Sequence, residues 1–500
     1  MSLPGAVPLP RPATIHSAPL QRDFRVFRKN GDLYQSESQP GVFENVQKLE
    51  YAIGSGENGI SFAVRRGAYL FQAPLSFYAK SGGWNLSPGF EQADEGFSRP
   101  IYHACITCHA GRPEAEPGRE GIYRDPPFAE LAIGCENCHG PGQAHIAAKE
   151  RGVAELPDPT IVNPARLPAR LAEDICMLCH QGGAARVLLP GKQYRDFRPG
   201  TPLLGTVAIF GLPAGLKDAD LLEHHASMKL SRCFRASGGK LSCLTCHNPH
   251  QQPDAASAPA YFRARCLRCH NDRSCRLSLA ARRKGAIPDN CIACHMPKRD
   301  VEKISHSALT NHRIPARPGA PAAPPPQKED LPGLLLLNAW PGEHPLPLLT
   351  RLAAYGELMD RDPSLRPRYL ELLAQASRAA PDDPLVLAAL GRKALAEGQA
   401  DAVVFLTRAE QQGAPGAATY VDLSQALAQA GRLADSAAAL ERGERLFPYS
   451  KDIRKHLILA YIRQKAFRSA RGSLERYVQD FPEDSFMRGL LDKVPAAAQR

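Results

Sequence analysis

The period of the hydrophobic positions changes twice along the chain. Residues 24–27, 33–34, 48–53, 60–64 and 68–71 are short strand-like runs of apolar and aromatic residues, some alternating with polar ones, bounded by turn residues. Asn30-Gly31 between the first two runs predicts a tight hairpin, because both residue types accept the positive φ of such a turn. Gly54, Gly56 and Gly59 supply further turns; the GSGENG stretch lacks the Lys and Ser/Thr that follow in a phosphate loop. Residues 22–100 are expected to form an antiparallel β region. Residues 1–21 carry five prolines and no period, and are expected to be an unstructured lead.

Beyond residue 334 the period becomes helical and the composition turns to Ala, Leu, Arg and Glu. Pro347, Pro381, Pro415, Pro448 and Pro482 follow one another at 34, 34, 33 and 34 residues. Gly398 and Gly431 sit at matching turn positions, with Lys465 in the third. A 34-residue helix–turn–helix period is the signature of tetratricopeptide repeats, so residues 334–495 are expected to be an all-α solenoid. Such solenoids bind proteins or peptides on a concave face, although the period also suits a purely structural cap. Seven prolines in residues 313–333 predict an extended linker before it.

Between these regions cysteine sets the pattern. Twelve of the fourteen cysteines fall into C-x-x-C-H: Cys105/Cys108/His109, Cys135/Cys138/His139, Cys176/Cys179/His180, Cys243/Cys246/His247, Cys266/Cys269/His270 and Cys291/Cys294/His295. Cysteines three apart can both form thioethers to one edge of a haem, and the adjacent His then reaches the iron. Six cysteine pairs would also suffice for three zinc sites, but zinc needs no His after the second Cys. The motifs predict six covalently attached haem c groups in residues 101–312. Cys105 to His295 is 191 residues, too few to bury six macrocycles separately. The haems are therefore expected to pack together and form most of the core.

Six irons need a sixth ligand each. His103, His145, His225, His250, His306 and His312 flank the motifs and are the candidate distal ligands; His224 adjoins His225, and only one of the two is expected to face an iron. Ligation by two imidazoles leaves no position for a substrate and favours electron transfer over catalysis. The alternative is an oxidoreductase acting on a small nitrogen or sulfur compound at one five-coordinate haem. Cys233 and Cys275 stand outside the motifs and are the candidates for a disulfide, with free thiols as the other possibility.

The net charge of +11 comes from residues 251–300 (+6) and 451–500 (+5). The first window is the cysteine cluster and the second a helical repeat, so nucleic acid is not the expected partner. Arg263, Arg265, Arg268, Arg273, Arg276, Arg282 and Arg283 are expected instead to balance haem propionates. No run of 18 apolar residues occurs, so no transmembrane segment is expected.

In these features the chain resembles bacterial multihaem c-type cytochromes of the cytochrome c-552/554-like class that carry a C-terminal tetratricopeptide region. The resemblance lies in CENCHGPGQAH (135–145), SRCFRASGGKLSCLTCHNPH (231–250), CLRCH (266–270), and CIACHMPKRD with ISHSALTNHRI (291–314). GSGENGISFAVRRGAYLFQAPLSFY, WNLSPGF and RPIYHACITCH are also similar. The architecture expected from the strand-like and helical runs is α+β, and the expected partners are redox proteins. The resemblance implies periplasmic electron transfer with covalently bound haems, and Cys233 and Cys275 as recurring non-haem cysteines. Such relatives tend to begin with a signal peptide and often an additional haem motif. This chain opens on MSLPGAVPLP instead, which is expected to mean a truncated or mis-called start.

Overall fold

Alternation in the first hundred residues becomes two antiparallel sheets in the computed structural model. It describes residues 1–6, 12–91, 95–153, 157–213, 224–284, 288–298, 310–317, 331–340, 342, 345–414 and 416–495. Strands β1 (Ala13–Ser17), β2 (Arg22–Lys29), β3 (Asp32–Gln39) and β4 (Phe43–Lys48) form one sheet in that order. The β2–β3 hairpin turns at Asn30 and Gly31, with φ of 53° and 87°, as the Asn-Gly pair predicts. Strand β1 corrects the expectation of an unstructured lead. Ala13 and Ile15 alternate inward beside Phe24 and Val26, so this short stretch buries enough to pair with β2.

The second sheet contains β5 (Tyr51–Ile53), β6 (Gly59–Arg66), β7 (Tyr69–Gln72), β8 (Leu75–Tyr78), β9 (Gly83–Leu86) and β10 (Arg99–Pro100). Phe62, Val64, Phe71 and Leu75 share one core with Phe24, Val26 and Leu33 of the first sheet. Fully buried Gln35 joins the two sheets. Its amide donates to Leu75 O and its carbonyl accepts from Leu75 N, both at 2.9 Å, satisfying both ends of a buried polar group. Helix α1 (His103–His109) and the hairpin β11 (Arg112–Ala115) and β12 (Tyr123–Glu130) follow.

The chain divides into two compact units, Met1–Ile133 with Tyr369–Arg500, and Gly134–Arg368. The second carries α2 (Glu136–His139), α3 (Gln143–Glu150), α4 (Ala169–His180), β13 (Ala185–Leu188) and β14 (Val207–Gly211). Short helices follow: α5 (His224–Lys229), α6 (Arg232–Ala236), α7 (Cys243–Cys246), α8 (Ala258–Cys266), α9 (Leu279–Arg283) and α10 (Cys291–His295). Strand β15 (Leu335–Leu336) completes an antiparallel sheet with β13 and β14, and α11 (Leu348–Leu358) lies in the same unit. Leu334, Leu335 and Leu337 are buried in this unit rather than opening the helical region. Residues 318–330 of the expected linker lie outside the described residues.

Hydrophobic packing in this second unit is uneven. Ile175, Met177, Phe197, Leu203, Val207, Ile209, Leu335 and Leu337 form a core around α4 and the sheet. Between Met228 and Leu331, however, no described apolar side chain is buried. That stretch holds three of the six cysteine motifs.

The helical region runs through α12 (Arg366–Ala379), α13 (Pro384–Ala396), α14 (Asp401–Gln411), α15 (Ala418–Gln429), α16 (Leu433–Leu446), α17 (Lys451–Arg463), α18 (Phe467–Asp480) and α19 (Ser485–Lys493). From α13 on, each helix packs on the next, and α15 also touches α13 and α17. The first helices of successive pairs start 34, 33 and 34 residues apart, matching the proline period. Gly398, Gly431 and Lys465 occupy the same position past α13, α15 and α17, with φ of 68°, 74° and 59°. In each case the following N–H closes the helix end, as Gln399 N to Ala394 O, Arg432 N to Leu427 O and Ala466 N to Tyr461 O. The architecture is α+β, with antiparallel sheets first and helical repeats last.

Candidate haem-binding sites

Residues three apart on a helical turn share a face, so a C-x-x-C pair presents both thiols to one side. Each motif uses such a turn. The first ends α1, the second lies on α2 with Cys135 as its N-cap, and the third ends α4. The fourth is α7 with His247 as C-cap, the fifth starts at the end of α8, and the sixth is α10. The first motif belongs to the unit with the β region, the other five to the second unit.

A haem c site needs an imidazole whose Nε2 is a lone pair, and the partner of Nδ1 decides this. A carbonyl can only accept, so a ring with Nδ1 on a carbonyl carries its proton there. His139 Nδ1 donates to Val162 O (2.7 Å), His295 Nδ1 to Pro315 O (2.8 Å) and His312 Nδ1 to Thr310 O (2.9 Å). His145 Nδ1 is held by Asp158 at 3.0 Å. Lys149 and Thr160 also bind Asp158, and these bonds hold its carboxyl well below the usual range.

Two imidazoles on opposite sides of one metal, with metal–N bonds of about 2 Å, have ring centroids about 6 Å apart. Three motif histidines meet this spacing with a histidine from outside the motifs. His139 and His250 lie 5.9 Å apart with rings 7° from parallel. His247 and His312 lie 6.3 Å apart, and His180 and His224 lie 5.5 Å apart. His224 is also 4.5 Å from His312, so four imidazoles from four segments adjoin. Burial, with His312, His180 and His247 nearby, pushes His224 down to about 3 against a hydrogen bond between its ring and the His180 backbone.

Cys138 and Cys243 both lie within electrostatic reach of Cys176. Cys246 lies within electrostatic reach of Cys269, and Cys266 of Cys291. Among the described residues no three His, Cys, Asp or Glu side chains converge as a bare ion would require. An iron held by one imidazole on each porphyrin face needs no such cluster. The donor set, the spacing and the coreless stretch around three motifs all fit haem c.

Several expected residues are placed otherwise. His225 is buried (2% exposed) with Nε2 on Glu173 Oε2 at 2.8 Å, so the neighbour facing a motif histidine is His224. His103 spends Nε2 on Ile122 O at 2.9 Å, and its Nδ1 lies 3.4 Å from Glu120. His306 lies outside the described residues. Cys233 and Cys275 are free, and the expected bridge is not made. Cys233 lies within electrostatic reach of Cys246, Cys266 and Cys269, and Cys275 of Cys291 and Arg282.

The arginines also differ from expectation. Arg263 and Arg282 both bind Asp272 and Asp289, at 2.5–3.2 Å. Arg265 stacks on Tyr261, and Arg268, Arg273, Arg276 and Arg283 are exposed. The sequence reading missed the buried pair Glu173 and Asp174 in AEDICMLCH, although two adjacent acids one turn before a motif on an apolar helix were a visible signal.

No family model matches the chain, and no curated protein matches it. Among solved structures, the outer cell wall cytochrome OcwA aligns at 12% identity over 82% of this chain and 88% of that one, with a TM-score of 0.32. The APC/C hetero-tetramer Cut9-Hcn1 aligns at 20% identity over 30% of this chain, with a TM-score of 0.27. This chain spans only 30% of that one's length. The tetratricopeptide protein TTC0263 of Thermus thermophilus aligns at 16% identity over 29% of this chain and 90% of that one, with a TM-score of 0.22. Likenesses this loose define neither fold nor function.

Proposed function

We propose that this chain is an extracytoplasmic multihaem c-type cytochrome that transfers electrons, with tetratricopeptide-like repeats that dock a redox partner protein. The observation that carries the reading is the pairing of His139 with His250, His180 with His224 and His247 with His312, each at the spacing of two ligands on one iron. Haem c would supply one-electron chemistry, and a chain offering two imidazoles to an iron would leave no position there for a substrate.

The chain's own residues do the holding and ordering. Cys105, Cys108, Cys135, Cys138, Cys176, Cys179, Cys243, Cys246, Cys266, Cys269, Cys291 and Cys294 would anchor six haems, and His109, His139, His180, His247, His270 and His295 would each offer an imidazole to the iron. The carbonyls of Val162, Pro315 and Thr310 fix the tautomer of His139, His295 and His312.

The test is a pyridine haemochrome assay after acid extraction of protein matured in an exporting host. Six haems per chain that resist extraction are expected. Extractable haem, or a count far from six, contradicts the reading.

A further inference from the structure

Helix α4 carries the third motif at its C-terminal end and two buried carboxylates, Glu173 and Asp174, just before it (1% exposed each). A buried acid is retained only where partners satisfy it. Asp174 accepts from Leu203 N at 3.1 Å and from Trp340 Nε1 at 3.2 Å, which ties α4 to its own core. Glu173 reaches the other way, to α5, where its Oε2 meets His225 Nε2 at 2.8 Å.

Neighbouring residues on a helix point about 100° apart. With His225 held inward between Glu173 and the Trp340 ring, 5.5 Å away, His224 is turned toward His180. Helix α5 is also held by Ala226 N to Gln181 Oε1 and Lys229 Nζ to Ala339 O, both at 2.9 Å, and the His224 ring itself bonds the His180 backbone. The Glu173 bond is the one hydrogen bond to the His225 side chain among the described residues. It comes from the same helix that presents Cys176, Cys179 and His180.

We propose that Glu173 is a positioning residue for haem ligation: by binding His225 it fixes the rotation of α5 and keeps His224 opposite His180. The motif helix thereby sets the place of its own second ligand. This rests on the haem reading of the third motif.

The test compares ferric EPR spectra of the holo-protein with its E173M, E173Q and H224A variants, each with its haem count. E173M keeps the volume and loses the bond, and should turn one haem in six from low-spin to high-spin, as H224A does. E173Q keeps an acceptor for His225 and should leave all spins unchanged. If E173M does not mature with six haems, H225F breaks the same bond from the other side and is read in the same way.

The proposal falls if E173M matches the unsubstituted protein, if it alters two or more haems, if E173Q behaves as E173M does, or if H224A keeps every haem low-spin. A haem count other than six in the unsubstituted protein sinks the haem reading and this inference with it. Six haems with unchanged spins in E173M sink only the positioning role.

Discussion

Which ring nitrogen is occupied separates histidines that sequence position alone makes equal. His250 and His103 both flank motifs, yet His250 stands 5.9 Å from His139 while His103 has Nε2 on Ile122 O. His250→Ala should therefore convert one haem in six to high-spin, whereas His103→Ala should leave the low-spin fraction unchanged; ferric EPR distinguishes them. The choice of His224 over His225 was not legible in the sequence. Two adjacent histidines look alike until a distant acid, 52 residues away, claims one of them.

Lys465 shows the opposite case. Its alignment with Gly398 and Gly431 predicts a left-handed turn, and its φ of 59° bears that out. A side chain there costs about 1–2 kcal/mol, part of which glycine returns as extra freedom of the unfolded chain. Lys465→Gly should stabilise the repeats by about 1 kcal/mol, read as a higher denaturation midpoint at unchanged slope. A lower midpoint would show that the lysine makes a contact worth more than the strain.

At the scale of elements, periodicity was legible wherever side chains do the packing. The β2–β3 hairpin and the repeat helices stand close to where the spacing puts them. Gly391 explains part of the repeat geometry: a methyl group there would sit 2.4 Å from Leu406 Cγ and 3.2 Å from its backbone nitrogen. Gly391→Ala should cost about 1–3 kcal/mol by overpacking, seen as a drop in Tm.

Strand β1 was missed because prolines mask a two-residue inward alternation of Ala13 and Ile15. The short β15 was missed because a run of leucines fits helix and buried strand equally well. Residues between Met228 and Leu331 gave no period at all, and the structure supplies the reason: no described apolar side chain is buried there. Such a stretch cannot hold itself together against chain entropy. Cleavage between 229 and 317 should be fast in protein made without haem maturation and at least tenfold slower in the holo-protein, as followed by limited proteolysis. Equal rates would mean that this stretch is stabilised by something other than haem.

Across the whole molecule, six motifs divide between two units, one with the β region and the repeats, five with the coreless stretch. The basic excess of residues 251–300 is partly neutralised at home, since Arg263 and Arg282 are held by Asp272 and Asp289. That removes them as free cations for an anionic partner. The central claim is that imidazole pairs close the coordination of covalently held irons, and ferric EPR integrated against the haem count of the intact chain tests it most directly. Six covalent haems are expected, with at least three giving low-spin bis-imidazole signals, one for each of the pairs His139/His250, His180/His224 and His247/His312. Fewer than three low-spin haems would contradict it.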